Sequence, residues 1–91
     1  MYRLVVIDDE YLVVEGIKAM IARQKLEYEV VGCAYDGIHG LEIVRKCQPD
    51  LVITDIRIPG LDGLSLIEEA KEYCPDTAFV VISGYTEFEY A

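Results

Sequence analysis

The sequence predicts an α/β fold, a parallel sheet with helices on both faces. Three observations carry this. Short aliphatic runs alternate along the chain with stretches whose apolar residues recur at helical spacing. Leu4-Val5-Val6-Ile7, Leu51-Val52-Ile53-Thr54 and Phe79-Val80-Val81-Ile82 are nearly continuous apolar segments, as strands covered on both faces should be. No internal repeat, low-complexity stretch or linker interrupts the alternation, so the 91 residues are expected to form one small domain, residues 1–91.

Each element follows from its own pattern. Tyr2 to Ile7 is a strand-like run that stops at the acids Asp8, Asp9 and Glu10. Over residues 10–24, Val13, Val14, Ile17, Met20 and Ile21 recur as one face of a helix. Tyr28 to Ala34 is rich in β-formers and interrupted by Gly32, which suits a less central strand. Helical spacing returns from Gly37 to Cys47 through Ile38, Leu41, Ile43 and Val44, and Pro49 marks the end. A third strand, Leu51-Val52-Ile53-Thr54, ends at Asp55. Pro59-Gly60 and Asp62-Gly63 punctuate the next loop, and Asp62 is placed to cap a helix whose face runs through Leu64, Ile67 and Ala70. Pro75 lies beyond that helix. The fourth strand, Phe79-Val80-Val81-Ile82, precedes Ser83-Gly84, and residues 85–91 read as a loop and the first turn of another helix. The order is β-α-β-α-β-α-β, which calls for parallel strands joined by crossovers.

Composition narrows the function classes. With 53% apolar and 27% charged residues the chain is globular rather than disordered. Its net charge of −9 disfavours DNA or an anionic membrane as a direct partner, because both demand a basic surface. No apolar run approaches a membrane span, and Met1 leads straight into the first strand without a leader pattern, so a cytoplasmic location is expected. Cys33, Cys47 and Cys74 are odd in number, far apart and without a CxxC pair, which favours reduced, mostly buried thiols over zinc or disulfides. The single histidine, His39, falls in a helical stretch and is expected to face solvent or to pack in part rather than to ligate a metal or act as a catalytic base.

Chemistry is concentrated at two strand ends. Asp8, Asp9 and Glu10 follow the first strand and Asp55 ends the third. In an open parallel sheet, sites form beyond the carboxyl ends of the strands, where strand order reverses. One strand-terminal Asp is ordinarily a cap or turn former; two acidic ends, each behind an aliphatic run, point to a site if the two strands are neighbours. Carboxylates so placed repel one another unless a cation relieves them, and Mg²⁺ suits an all-oxygen donor set. A carboxylate beside such a metal can serve as nucleophile and form an acyl phosphate. Ser83-Gly84, at the matching end of the fourth strand, offers a hydroxyl and a backbone N–H for phosphoryl oxygens.

Taken in order, these pieces resemble the receiver domain of bacterial two-component response regulators. The resemblance runs through Val5-Val6-Ile7-Asp8-Asp9-Glu10, Asp36-Gly37, and Pro49-Asp50-Leu51-Val52-Ile53-Thr54-Asp55. It continues with Ile56-Arg57-Ile58-Pro59-Gly60-Leu61-Asp62-Gly63 and Val81-Ile82-Ser83-Gly84, over essentially the whole chain. It implies a flavodoxin-like, doubly wound parallel sheet. It also implies that Asp55 takes a phosphoryl group from a phosphohistidine on a partner histidine kinase. Asp9 is implied as a direct Mg²⁺ ligand, Asp8 as a contributor, and the main-chain carbonyl of Arg57 as a further ligand beside Asp55. Ser83 corresponds to the hydroxyl switch position, and Gly84 N–H to a donor to the same phosphoryl group. Such a domain is a switch rather than a turnover enzyme.

The pattern departs from the family at its end. Receivers carry a fifth strand with a phosphoryl-contacting lysine, a fifth helix and an aromatic switch residue. This sequence stops at Ala91, ahead of them, and no lysine present, Lys71 included, fits that role. A receiver lacking its fifth strand and helix is therefore expected, with the edge of the fourth strand inviting self-association. The ending Ser83-Gly84-Tyr85-Thr86-Glu87-Phe88-Glu89-Tyr90-Ala91 resembles receivers whose parent proteins carry an AraC-type helix-turn-helix output domain, which implies transcription regulation. Among rivals, a haloacid-dehalogenase-type phosphohydrolase needs a second Asp two positions after the nucleophile, where Arg57 stands. A receiver-like module that has lost its chemistry is opposed by the intact Asp8, Asp9 and Asp55. A nucleotide-binding sheet would need a Gly-rich loop after the first strand, where acids stand instead.

Overall fold

The computed structural model of the chain describes residues 1–24 and 27–82. Its elements in chain order are β1 (Tyr2–Ile7), α1 (Tyr11–Gln24), β2 (Tyr28–Ala34), α2 (Gly37–Cys47), β3 (Leu51–Asp55), α3 (Gly63–Tyr73) and β4 (Ala78–Ile82). The four strands form one parallel sheet in the order β2-β1-β3-β4. The doubly wound α/β arrangement expected from the sequence is therefore present, and β1 and β3 are neighbours.

Aliphatic side chains on both sides of each strand create two cores. Val5, Ile7 and Val52 point to one face, where Val44 of α2 and Leu66 and Ala70 of α3 cover them. Leu4 and Val6 point to the other, against Val14 and Ile21 of α1. This is why β1 reads as an unbroken apolar run: successive residues point to opposite faces, and helices cover both. Beyond α1, the face of β3 and β4 continues as an apolar groove lined by Ile17, Met20, Ile53, Val80 and Ile82.

Chain ends of the helices are set by local chemistry. Asp36 and Asp62 are extended N-caps whose carboxylates accept from the N–H of His39 at 2.8 Å and of Ser65 at 2.9 Å, satisfying donors that the first turn leaves without partners. Gln48 stops α2 in a left-handed conformation, φ 48°, and returns its N–H to the carbonyl of Val44. The predicted face of α3 is off by one position. Leu64 is 51% exposed, and the buried stripe runs through Gly63, Leu66 and Ala70. The cause is Gly63, which lies so close to the main chain of Asp55 that a Cβ there would meet the Asp55 carbonyl oxygen. That contact fixes the rotation of the helix about its axis. Ile38 is likewise exposed rather than packed, since Gly37, Gly40 and Val44 form the inner stripe of α2.

Register is locked by polar contacts at the start of the central strands. The Arg3 N–H donates to the Asp50 carboxylate at 2.7 Å, and the Asp50 N–H donates to the Arg3 carbonyl at 2.8 Å. The Arg3 guanidinium also donates to the carbonyls of Cys47 and Gln48, where α2 ends. From there Leu4 pairs with Leu51 and Ile7 with Thr54.

Candidate functional site

The pairing of Ile7 with Thr54 brings the next residue of each strand, Asp8 and Asp55, level at the carboxyl edge of the sheet. Carboxylate oxygens of Asp8, Asp9 and Asp55 all lie within 4.8 Å of one another. Among the described residues this is the one such group of three acids, histidines or cysteines. Asp8 is buried, Asp55 is half-buried, and Asp9 is exposed at the rim.

Backbone contacts hold these side chains in place. The Asp8 N–H donates to the Ala34 carbonyl at 3.1 Å, tying the strand end to β2. The Asp8 carboxylate accepts from the Glu10 N–H at 2.9 Å, and the Asp55 carboxylate accepts from the Ile56 N–H at 2.7 Å. Behind Asp55, the fully buried Thr54 donates its hydroxyl to the Asp55 carbonyl at 3.0 Å. Burial pushes the Asp8 carboxyl above its ordinary value of 3.8; the Glu10 N–H opposes this, while the charges of Asp55, Asp9 and Glu10 add to it. An acid held against its own ionisation by burial first, and by neighbouring acids besides, is a place where a cation relieves the electrostatics. Three convergent carboxylates are all hard oxygen donors, which suits a small divalent ion such as Mg²⁺. The residues present therefore fit such an ion.

The sequence-predicted residues fall into three groups. Asp8, Asp9 and Asp55 come together. Arg57 is exposed two residues beyond Asp55 in the loop of residues 56–62, and Glu10 sits at the rim, contributing its N–H. Ser83 and Gly84 follow β4, whose last residue Ile82 pairs with Asp55, and both lie outside the described residues. Among the described residues β4 is the outermost strand on its side of the sheet, where the expected edge would fall. His39 is solvent-facing as expected, its ring Nδ1 2.6 Å from the Asp36 carboxylate. All three cysteines are free thiols, but burial is less complete than expected: Cys74 is buried, and Cys33 and Cys47 are half-buried. No helix among the described residues is long and apolar enough to cross a membrane. Sequence reasoning did not single out Thr54 and did not foresee how closely Gly63 approaches Asp55. The Asp-Gly dipeptide at 62–63 was the available signal.

A strand-end acidic triad on a 2-1-3-4 parallel sheet agrees with the comparison to known families. The model described as the response regulator receiver domain matches residues 4–91. The chain belongs to this family. It is a receiver domain of a two-component response regulator, a class of regulatory switch phosphorylated by histidine kinases. Among solved structures, the receiver domain of AraT, a response regulator from Geobacillus stearothermophilus, is 36% identical with a TM-score of 0.89; the match covers 98% of this chain and 69% of that one. A two-component transcriptional regulator AraC from Clostridium phytofermentans is 33% identical with a TM-score of 0.84, over 100% of this chain and 73% of that one. The transcriptional regulatory protein YesN of Bacillus subtilis is 38% identical over 91 residues, all of this receiver but 25% of that protein. HptR of Staphylococcus aureus, also named a transcriptional regulatory protein, is 34% identical over 99% of this chain and 35% of its own length. The receiver thus spans about a quarter to a third of the curated relatives it matches.

Proposed function

We propose that Asp55 is the phosphoacceptor of this receiver. A carboxylate oxygen of Asp55 attacks the phosphorus of a phosphohistidine on the partner kinase. The new O–P bond forms as the P–N bond breaks, and the departing imidazole nitrogen takes up a proton. The product is an acyl phosphate on Asp55. The observation that carries this reading is the meeting of Asp8, Asp9 and Asp55 within 4.8 Å at the ends of adjacent strands.

The roles of the other residues follow from their positions. Asp8, Asp9, Asp55 and the main-chain carbonyl of Arg57 are the groups that would hold Mg²⁺. Bound there, the ion supplies positive charge against that of the incoming phosphoryl group and of the acids. The Ile56 N–H and the Thr54 hydroxyl orient the Asp55 carboxylate and backbone. Ser83 and Gly84 are proposed to donate to the phosphoryl oxygens once these are in place. With Arg57 where a phosphohydrolase would need its second Asp, the domain works as a switch, not as a turnover enzyme. Its setting is the cytoplasm, and the names of its relatives support a parent protein that regulates transcription, of the AraC type. No direct contact of this segment with nucleic acid or membrane is proposed.

The test is to incubate the chain with Mg²⁺ and acetyl phosphate and to read intact mass beside Asp55→Asn. One phosphoryl adduct on the wild type, absent from the variant, is expected. An adduct of equal yield on Asp55→Asn would remove Asp55 from the role.

A further inference from the structure

The Asp36-Gly37 pair is part of the family resemblance but has no part in the chemistry above, and the structure gives it a mechanical one. The Gly37 N–H donates to the Pro59 carbonyl at 2.9 Å, joining the first turn of α2 to the loop that follows Asp55. Gly37 is buried, and a Cβ on it would lie 2.6 Å from the Leu61 carbonyl carbon and 2.8 Å from Leu61 Cβ, with the Leu61 carbonyl oxygen nearer still. Any side chain at this position must push the loop away. Gly60 completes the fit from the other side, turning at φ +86° against Ile38. Asp36 holds the turn in shape, its carboxylate accepting from the His39 N–H at 2.8 Å and its carbonyl from the Gly40 N–H at 3.0 Å.

The same loop has a second anchor at α3. The Gly63 N–H donates to the Ile56 carbonyl at 2.8 Å. The tied carbonyls of Ile56 and Pro59 therefore bracket Arg57 and Ile58, and Ile58 is itself 6% exposed within the core. Arg57 lies on a segment whose two ends are held by glycine contacts, one to each of two helices.

We propose that the first turn of α2 is a clamp that sets the position of the loop following Asp55, with Asp36 and Gly37 as positioning residues for phosphoryl acceptance. The inference rests on Asp55 being the acceptor and adds the device that places the main chain of Arg57 beside it. The β2–α2 connection is thereby coupled to the acceptor site without touching it.

Gly37→Ala tests this in the 91-residue chain, with Gly16→Ala as a counterweight. Gly16 lies in α1 with nothing within 4 Å of an added Cβ, so alanine there raises stability without touching the loop. Three quantities are read: melting temperature, the backbone amide resonances of Ile56, Arg57, Ile58, Gly60 and Leu61 with and without Mg²⁺, and the initial rate of adduct formation from acetyl phosphate. Gly37→Ala is expected to move those resonances and to slow acceptance on the order of tenfold to hundredfold, as a misplaced group does. Adding Gly16→Ala should recover melting temperature and leave the rate low. Asp36→Asn keeps a capping oxygen and should match wild type, whereas Asp36→Ala should slow acceptance; this pair carries the test if Gly37→Ala does not fold. Unmoved resonances, or a rate that returns in step with melting temperature in the double variant, overturn the proposal. A wild-type chain that takes no phosphoryl group at all counts against Asp55 as acceptor, and the resonances then decide alone whether the clamp sets the loop.

Discussion

A carboxylate that is 4% exposed and faces the charges of Asp55 and Asp9 ionises against its surroundings, and Asp8 is in that position. The sign of the effect is fixed by linkage. Its folded-state pKa lies above the ordinary 3.8, so the ionised form costs stability at neutral pH, and the cost disappears as pH falls below the unfolded value. Asp8→Asn keeps an oxygen for the Glu10 N–H and removes the charge. Without divalent cation it should melt a few degrees higher than wild type at pH 7, with no advantage at pH 3. Thermal melts at the two pH values check this; a variant less stable than wild type at pH 7 would show that the acids are not in conflict. The same substitution should weaken Mg²⁺ binding, separating what the site needs for function from what the fold prefers. At this scale the sequence was informative about chemistry and silent about support. The acids at 8, 9 and 55 stand out because charge after an aliphatic run is conspicuous. Thr54 reads as the last residue of a strand, and only its complete burial behind Asp55 gives its hydroxyl a role.

Helix α2 shows what a cap does when its first turn also carries a titratable partner. Asp36 accepts from the His39 N–H and its ring Nδ1, which holds the Asp36 carboxyl below 3.8; the same Asp36 hydrogen bond, with its charge, holds the His39 imidazole above 6.5. A lowered carboxylate contributes stability above its unfolded pKa and loses it as pH falls through the folded one. A raised histidine contributes below its unfolded pKa and loses it as pH rises through the folded one. His39→Gln should therefore fall furthest below wild type between about pH 4 and 6.5. A stability gap independent of pH across pH 3 to 9 would sink the pairing. In α3 the decisive residue is Leu66, fully buried between the sheet and α2. Leu66→Ala should cost about 2–5 kcal/mol in a denaturant titration, and Leu64→Ala, at an exposed site, within about 0.5 kcal/mol. The periodicity of the sequence placed α3 and its cap correctly but chose Leu64 for the core. Helical spacing fixes a stripe only to within one residue, and the close approach of Gly63 to Asp55 chose between neighbours.

For the molecule as a whole, a net charge of −9 makes any cation somewhat stabilising, so the site has to be separated from simple screening. MgCl₂ should raise the melting temperature beyond NaCl of equal ionic strength, by about 1.4 kcal/mol of stability at ten times Kd. Asp9→Asn should abolish that difference and leave the response to NaCl intact. Order of elements, sheet class and family were legible because aliphatic runs and helical spacing alternate without a break. The register of the strands was not, and the two-sided core explains why. Leu4, Val5, Val6 and Ile7 are all buried, and β3 carries aliphatic side chains on both faces, one buried and one half-buried, so sliding one strand past the other by a whole pleat would keep most of each face apolar. Hydrophobic collapse therefore has little means of telling the native alignment from its neighbours. The reciprocal pair between Arg3 and Asp50 supplies the discrimination, as a notch on a sliding rule does. It lies at the opposite end of the sheet from the acids, yet it decides that Ile7 stands beside Thr54 and hence which carboxylates face each other. The accuracy of the proposed acceptor site is in this sense a folding problem solved at the far edge of the molecule, before any ion or phosphate arrives.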